Sequence, residues 1–308
     1  MPRPMPPTLE PYTSQLPDVN NAATWAERTP LFWNWVTGDG YINLTSLLDY
    51  SEEAIDFIDE ALSGSETLVD AVAAIQAQIA GRNLIINGDF RINQRGYVSG
   101  TPTSGANQFT LDRWFVFTSG QSLIFTGDDS GRVITAPAGG VSQVIEGANI
   151  VGGTYVLNWT GTASATVGGV ARTKGETFTL TANTNVTVTF SSGTFSEVQL
   201  ERGSVVTPFE WRHVGHELAL CQRYYTVTRA SVRGNSVGSG HLIDVHFYWP
   251  VHMRGIPSIV RTGAFVNSQT PTVNSVDAVG GRFGIIAVTV GDFYALANAI
   301  TGDAELTS

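Results

Sequence analysis

SEEAIDFIDEALSGSETLVDAVAAIQAQIA (Ser51–Ala80) runs into GRNLIINGDF (Gly81–Phe90), and at Gly81 the periodicity of the chain changes. Before it, Ala54, Ile58, Ala61, Leu68, Val72, Ile75 and Ile79 recur at alternating spacings of four and three, the a/d seam of a heptad. Ser65 takes one seam position with Gly64 beside it, which weakens or bends a helix there. Ile55, Leu62 and Val69 widen the apolar stripe, and a wide stripe mixing Val, Ile and Leu suits three strands better than two. The seam Leu68, Val72, Ile75 and Ile79 is therefore expected to form a trimeric coiled-coil helix over 51–82. The alternative is one amphipathic helix packed on its own domain.

After Gly81 the period becomes two. Trp114 and Val116 alternate with Phe115 and Phe117; Tyr155, Leu157 and Trp159 share a face, as do Phe178 and Leu180, and then Val186, Val188 and Phe190. Gly152-Gly153, Gly168-Gly169, Asn183–Asn185 and Gly193 separate these runs, and short strands at such spacing predict an antiparallel sandwich over 83–213, closed by Glu197–Glu201. Asp128-Asp129-Ser130-Gly131 reads as a hairpin turn. A brief helix is expected over His216–Tyr224, followed by a smaller β-domain within 214–308. There Ile243, Val245, Phe247 and Trp249 face one side, and Leu242, Asp244, His246 and Tyr248 the other. Ile259–Val266, Gly284–Val290 and Phe293–Leu296 supply further strands; Arg233–Ser239, Val266–Ser275 and Val279–Phe283 read as polar loops.

Upstream, residues 1–50 read as an arm. Met1–Pro17 holds six of the thirteen prolines and is expected to lie extended, while Asn21–Val36 is partly helical, with Thr29 capping a turn opened by Pro30. Three of the seven tryptophans, Trp25, Trp33 and Trp35, crowd this short segment, which cannot bury three indoles alone. They cover either a mini-core over the following helix or a docking partner.

Composition excludes several function classes. Only 14% of residues are charged while Gly reaches 33, a balance that suits a turn-rich β protein. A net charge of −10 argues against a nucleic-acid partner, and no apolar run approaches membrane-spanning length. A single cysteine, Cys221, rules out an intrachain disulfide or a cysteine metal cage.

Four segments carry a resemblance. NLIINGDFRINQRG (Asn83–Gly96), TLDRW (Thr110–Trp114), VQLERGSVVTPFEWR (Val198–Arg212) and HELALCQRYY (His216–Tyr225) resemble stretches recurring in tail-fibre and receptor-binding proteins of tailed bacteriophages, and Pro17–Val36 looks like their N-terminal region. The resemblance implies a virion-attached homotrimer with no cofactor. Its arm, through Trp25, Trp33 and Trp35, would dock on other virion structural proteins, and the C-terminal β-domain, 214–308, would be the tip that binds a host-surface glycan or protein receptor, the middle sandwich being the competing reader. The middle module is similar to jelly-roll carbohydrate-binding domains. Some of these hold calcium near both module ends, for which Asp89 and Glu201 are weak candidates.

The chemistry searched for is sparse. Asp112, Asp128, Asp129, Glu146 and Glu176 show no sign of a pair at the ~5 to ~9.5 Å used by glycosidases, so catalysis is not expected. All five histidines lie between His213 and His252 without a third ligand beside the His213/His216 pair. Aromatic rings are the natural sugar contacts: Tyr97, Tyr248 and Trp249 are the candidates, while Trp114 and Trp159 read as core. The expected function is host attachment by a virion fibre; the alternatives are a polysaccharide depolymerase tailspike and a head-attached decoration fibre.

Overall fold

The computed structural model describes residues 82–307. The first eleven strands are β1 (Gln108–Phe109), β2 (Phe115–Val116), β3 (Ile124–Asp128), β4 (Gly131–Thr135), β5 (Val141–Ile145), β6 (Gly153–Gly161), β7 (Ser164–Val167), β8 (Val170–Arg172), β9 (Thr177–Leu180), β10 (Val186–Ser191) and β11 (Thr194–Arg202). They form two antiparallel sheets, ordered β1-β2-β5-β10-β7-β8 and β3-β4-β11-β6-β9. Consecutive strands repeatedly change sheets, so the two layers are laced together by their connections.

The period-two pattern explains the packing. In β6, Tyr155, Leu157 and Trp159 are buried between the sheets, while Asn158 and Thr160 point away from them. From the opposite sheet Val186, Val188 and Phe190 of β10 meet this face. At the centre, Phe190 of one sheet stacks on Phe195 of the other with centroids 4.3 Å apart, and Trp159 meets Phe190 edge-on at 5.4 Å. Such pairs contribute about 0.5–1.5 kcal/mol each beyond their burial.

Helix α1 (Val214–Gln222) follows, with His213 capping it by accepting from the Gly215 amide at 3.1 Å. Six more strands complete the chain: β12 (Tyr225–Ser236), β13 (Leu242–Tyr248), β14 (Ser258–Val266), β15 (Thr272–Val276), β16 (Gly280–Ile286) and β17 (Gly291–Asp303). They make two three-stranded sheets, β12-β17-β14 and β13-β16-β15, around a second core that includes Phe247, Trp249, Met253, Phe283, Ile285, Phe293 and Ile300.

The fold expectation needs correction. Among the described residues the protein is mainly β, with four antiparallel sheets and a single short α-helix. No coiled coil occurs among them, and the seam Leu68, Val72, Ile75 and Ile79 lies outside the described residues, as does the whole arm. The jelly-roll expectation gives way to an open sandwich. Its six- and five-stranded sheets exceed the eight strands of a jelly roll and are not hydrogen-bonded into a barrel.

The expected loops of the last ninety residues are also corrected. Arg233–Ser236 belong to β12, Thr272–Ser275 to β15 and Gly280–Phe283 to β16. Gly280 closes the β15–β16 hairpin, where the Asp277 amide donates to the Gly280 carbonyl at 2.9 Å, whereas Gly281 lies inside β16 and a Cβ there would overlap the Phe247 ring.

Candidate functional site

The four motif segments meet in space, and most of their polar residues are spent on holding one another. Asn83 donates from its amide to the Val198 carbonyl at 3.0 Å and accepts from the Ile85 and Leu200 amides at 2.9 and 3.0 Å. Asn87 bridges Ile92 and Asp112, and the Trp114 indole donates to the Asn87 carbonyl at 3.0 Å. At Gly88 a Cβ would overlap the Val198 carbonyl, so only glycine lets β11 approach. Arg212 reaches the carbonyls of Asn83 and Ile85, and pairs with Glu217 of α1 at 3.3 Å. Glu217 in turn accepts from the Asn87 amide. These segments are a structural knot.

That knot decides the weak calcium candidates. Asp89 is buried and paired with Arg91 at 2.7 Å, and burial pushes its carboxyl above the ordinary carboxylate value. Glu201 is also buried; it accepts from the Thr207 amide at 3.0 Å and hydroxyl at 2.7 Å. Asp89 thus has one oxygen paired with Arg91, while Glu201 is held by Thr207. No cluster of three or more acidic, His or Cys residues able to hold a metal occurs among the described residues.

The aromatic candidates separate. Tyr97 is half-buried against the sandwich core; its hydroxyl donates to the Thr101 carbonyl at 2.5 Å and accepts from the Leu123 amide at 2.9 Å. It staples a loop to the sandwich, with its ring tilted against Phe125 at 6.4 Å, so its polar tip is spent on structure. The expectation for Trp249 is corrected: it is buried in the second core, packs edge-on against Phe247 at 5.0 Å and donates to the Asp277 carbonyl at 3.1 Å. Its face of β13 is the buried one, as the alternation of Ile243, Val245 and Phe247 dictates. Tyr248, one residue earlier, is 69% exposed. Trp114 and Trp159 are core, and Trp25, Trp33 and Trp35 lie outside the described residues.

The concave feature on the sandwich lies elsewhere. On the outward face of β6 and β11, Asn158, Thr160, Glu197 and Gln199 form one wall of a groove of about 320 Å³; the segment Val206–Phe209 folds back to form the other. That volume falls at the lower end of the ~300–1,000 Å³ typical of small-molecule sites. The opposite wall is fastened by its base: the Gln199 amide donates to the Thr207 hydroxyl at 2.9 Å, and Gln199 accepts from the Glu210 amide at 2.8 Å. Arg82 also donates to the Thr207 hydroxyl, at 2.9 Å.

Glu197 reaches this groove through a backbone irregularity. Pairing between β6 and β11 slips register between Ser196 and Gln199, and Glu197 sits there with φ at +49°. A β-bulge re-aims side chains, and a non-glycine residue in the left-handed region stores strain of about 1–3 kcal/mol. The result places the Glu197 carboxylate beside Thr160, whose hydroxyl donates to it at 2.7 Å.

Past the groove, Phe209 meets Trp211 edge-on at 5.2 Å, and Trp211 is 58% exposed with the Arg91 guanidinium 5.7 Å from its ring centre. An exposed indole beside a groove with an amide, a hydroxyl and a carboxylate is what a carbohydrate needs: a flat apolar face with polar groups at its edge. In the sequence Trp211 falls within the Val198–Arg212 motif and Glu197 within the closing strand, and neither stands out as a site residue. A tryptophan that breaks from the buried partners of its motif has no periodic signal, and nothing in a Glu codes for a bulge.

No family model matches this chain, nor does any curated protein or solved structure.

Proposed function

We propose that this chain is a virion fibre protein that attaches a particle to a host cell by binding a surface glycan. The reading rests on the groove between β6, β11 and the Val206–Phe209 segment, with Trp211 extending its aromatic edge. The four motif segments support it through their resemblance to bacteriophage fibres. With the resemblance come a homotrimer and docking on other virion structural proteins through residues 1–50.

Binding without cleavage is the favoured chemistry. Among the described residues Glu197 is the one carboxylate lining the groove, whereas glycoside hydrolysis by the usual route needs two flanking the scissile bond. The groove is open and polar, so each site is expected to bind weakly, at about millimolar Kd, with several copies on one particle supplying avidity.

The test is to incubate the purified full chain with a panel of bacterial surface polysaccharides. Saturable binding with polymer length unchanged supports the reading. Shortened polymer would replace it with a depolymerase, and no binding to any polysaccharide or intact cell would remove it.

A further inference from the structure

The groove's free chemistry is narrower than its lining. Gln199 and Thr207 are consumed in fastening its two walls, and the Thr160 hydroxyl proton is given to one oxygen of Glu197. What remains is the second Glu197 oxygen and the Asn158 amide, whose side chain makes no hydrogen bond among the described residues. Facing them are the carbons of Val206, Pro208 and Phe209, with Val206 and Pro208 exposed. The site therefore offers a carboxylate acceptor, a carboxamide that both donates and accepts, and a small apolar patch on the opposite wall.

We infer that the groove is built for an N-acylated amino sugar, a specificity that rests on the glycan-binding reading above. An acetamido group makes the three matching demands. Its N–H needs an acceptor, which Glu197 supplies; its carbonyl needs a donor, which Asn158 supplies; its methyl needs cover, which Val206 and Pro208 supply. A plain neutral hexose satisfies the polar groups but leaves the apolar patch wet. A uronic or other acidic sugar sets its carboxylate against Glu197, on a chain of net charge −10; among the described lining residues none is cationic, and the Arg82 guanidinium behind Thr207 and Pro208 is paired with Glu201. The bulge gives a reason for the strain at Glu197: a regular β11 would not aim this carboxylate across the gap.

The experiment uses the full chain and three defined probes, triacetylchitotriose, cellotriose and trigalacturonate, followed by saturation-transfer NMR and calorimetric titration. Triacetylchitotriose is expected to bind at least roughly tenfold more tightly than cellotriose, the order of discrimination a pocket draws from one small apolar group. Trigalacturonate is expected not to bind. Glu197→Gln, checked for unchanged melting, is expected to lose most of the preference for the acetylated probe and to admit trigalacturonate. Equal binding of triacetylchitotriose and cellotriose overturns this inference while leaving a glycan reader in place. Preference for trigalacturonate, or no binding of triacetylchitotriose, also overturns it; whether the broader reading then survives is decided by the polysaccharide panel.

Discussion

The Thr160 hydroxyl donates to the Glu197 carboxylate at 2.7 Å where β11 slips register against β6. The contact links a strained backbone to the groove it serves, because Glu197 holds φ at +49°. Glycine relieves that strain at the cost of a looser unfolded chain. Glu197→Gly is therefore expected to change unfolding free energy by no more than about 1 kcal/mol while abolishing glycan binding. Chemical denaturation beside a binding assay checks both halves; a loss above about 2 kcal/mol would make Glu197 a scaffold residue.

A second prediction concerns the tie between the sandwich and the C-terminal sheets. Arg113 is fully buried, stacks its guanidinium 3.6 Å from the Tyr224 ring centre, donates to the Val144 carbonyl at 2.6 Å and pairs with Glu305. Arg95 also reaches Glu305, at 3.2 Å, so the acid keeps one partner when Arg113 is removed. Arg113→Ala is expected to cost about 3 kcal/mol, the lower end for breaking a buried pair. An unchanged urea midpoint would contradict the assignment.

Burial sets a pH dependence. Asp112 is held above its ordinary value of 3.8 chiefly by desolvation, with the Gln94 amide and side chain, at 2.6 and 2.7 Å, pulling the other way. A carboxyl with a raised folded pKa binds its proton more tightly in the native state. Stability is thus lost as pH rises from about 3.8 through the raised value, and Asp89 acts in the same direction. Asp112→Asn is expected to flatten this slope in urea unfolding measured across that window. Parallel curves for the two proteins would refute it.

Adjacent aromatics on β13 and just past it should behave oppositely. Trp249 is 5% exposed and its removal leaves a cavity in the second core, whereas Tyr248 is 69% exposed. Trp249→Ala is expected to destabilise by about 3–5 kcal/mol, and Tyr248→Ala by less than about 0.5 kcal/mol. Similar melting shifts for the two would contradict the face assignment of β13, and a larger loss in Tyr248→Ala would invert it.

How far the sequence could be read follows from which physics leaves a periodic trace. Tyr155, Leu157 and Trp159 alternate with polar residues, so the inward face of β6 was legible, as was the Asp128–Gly131 hairpin, where Ser130 donates to Asp128 at 2.8 Å. Trp249 was legible as apolar-faced, yet its place beside Pro250 suggested exposure; packing on Phe247 decides otherwise. Glycines misled in both directions. Gly280 does close the β15–β16 hairpin, but Gly281 makes room for Phe247 inside β16, and Gly88 looked unremarkable but sits under the Val198 carbonyl. The groove was least legible: it needs a bulge at Glu197 and a chain reversal that brings Val206–Phe209 over β6, and neither is periodic.

If the sandwich groove reads the host glycan, its lining residues govern binding. The most direct test is equilibrium binding of the labelled full chain to whichever surface polysaccharide retains it, comparing wild type with Asn158→Ala, Trp211→Ala and Tyr248→Ala. Asn158 and Trp211 lie in and beside the groove, and Tyr248 lies on the exposed face of β13. Asn158→Ala and Trp211→Ala are each expected to lose at least roughly tenfold in affinity, and Tyr248→Ala to show no change. Full binding by both groove variants, with loss only in Tyr248→Ala, would contradict this and move recognition to the C-terminal sheets.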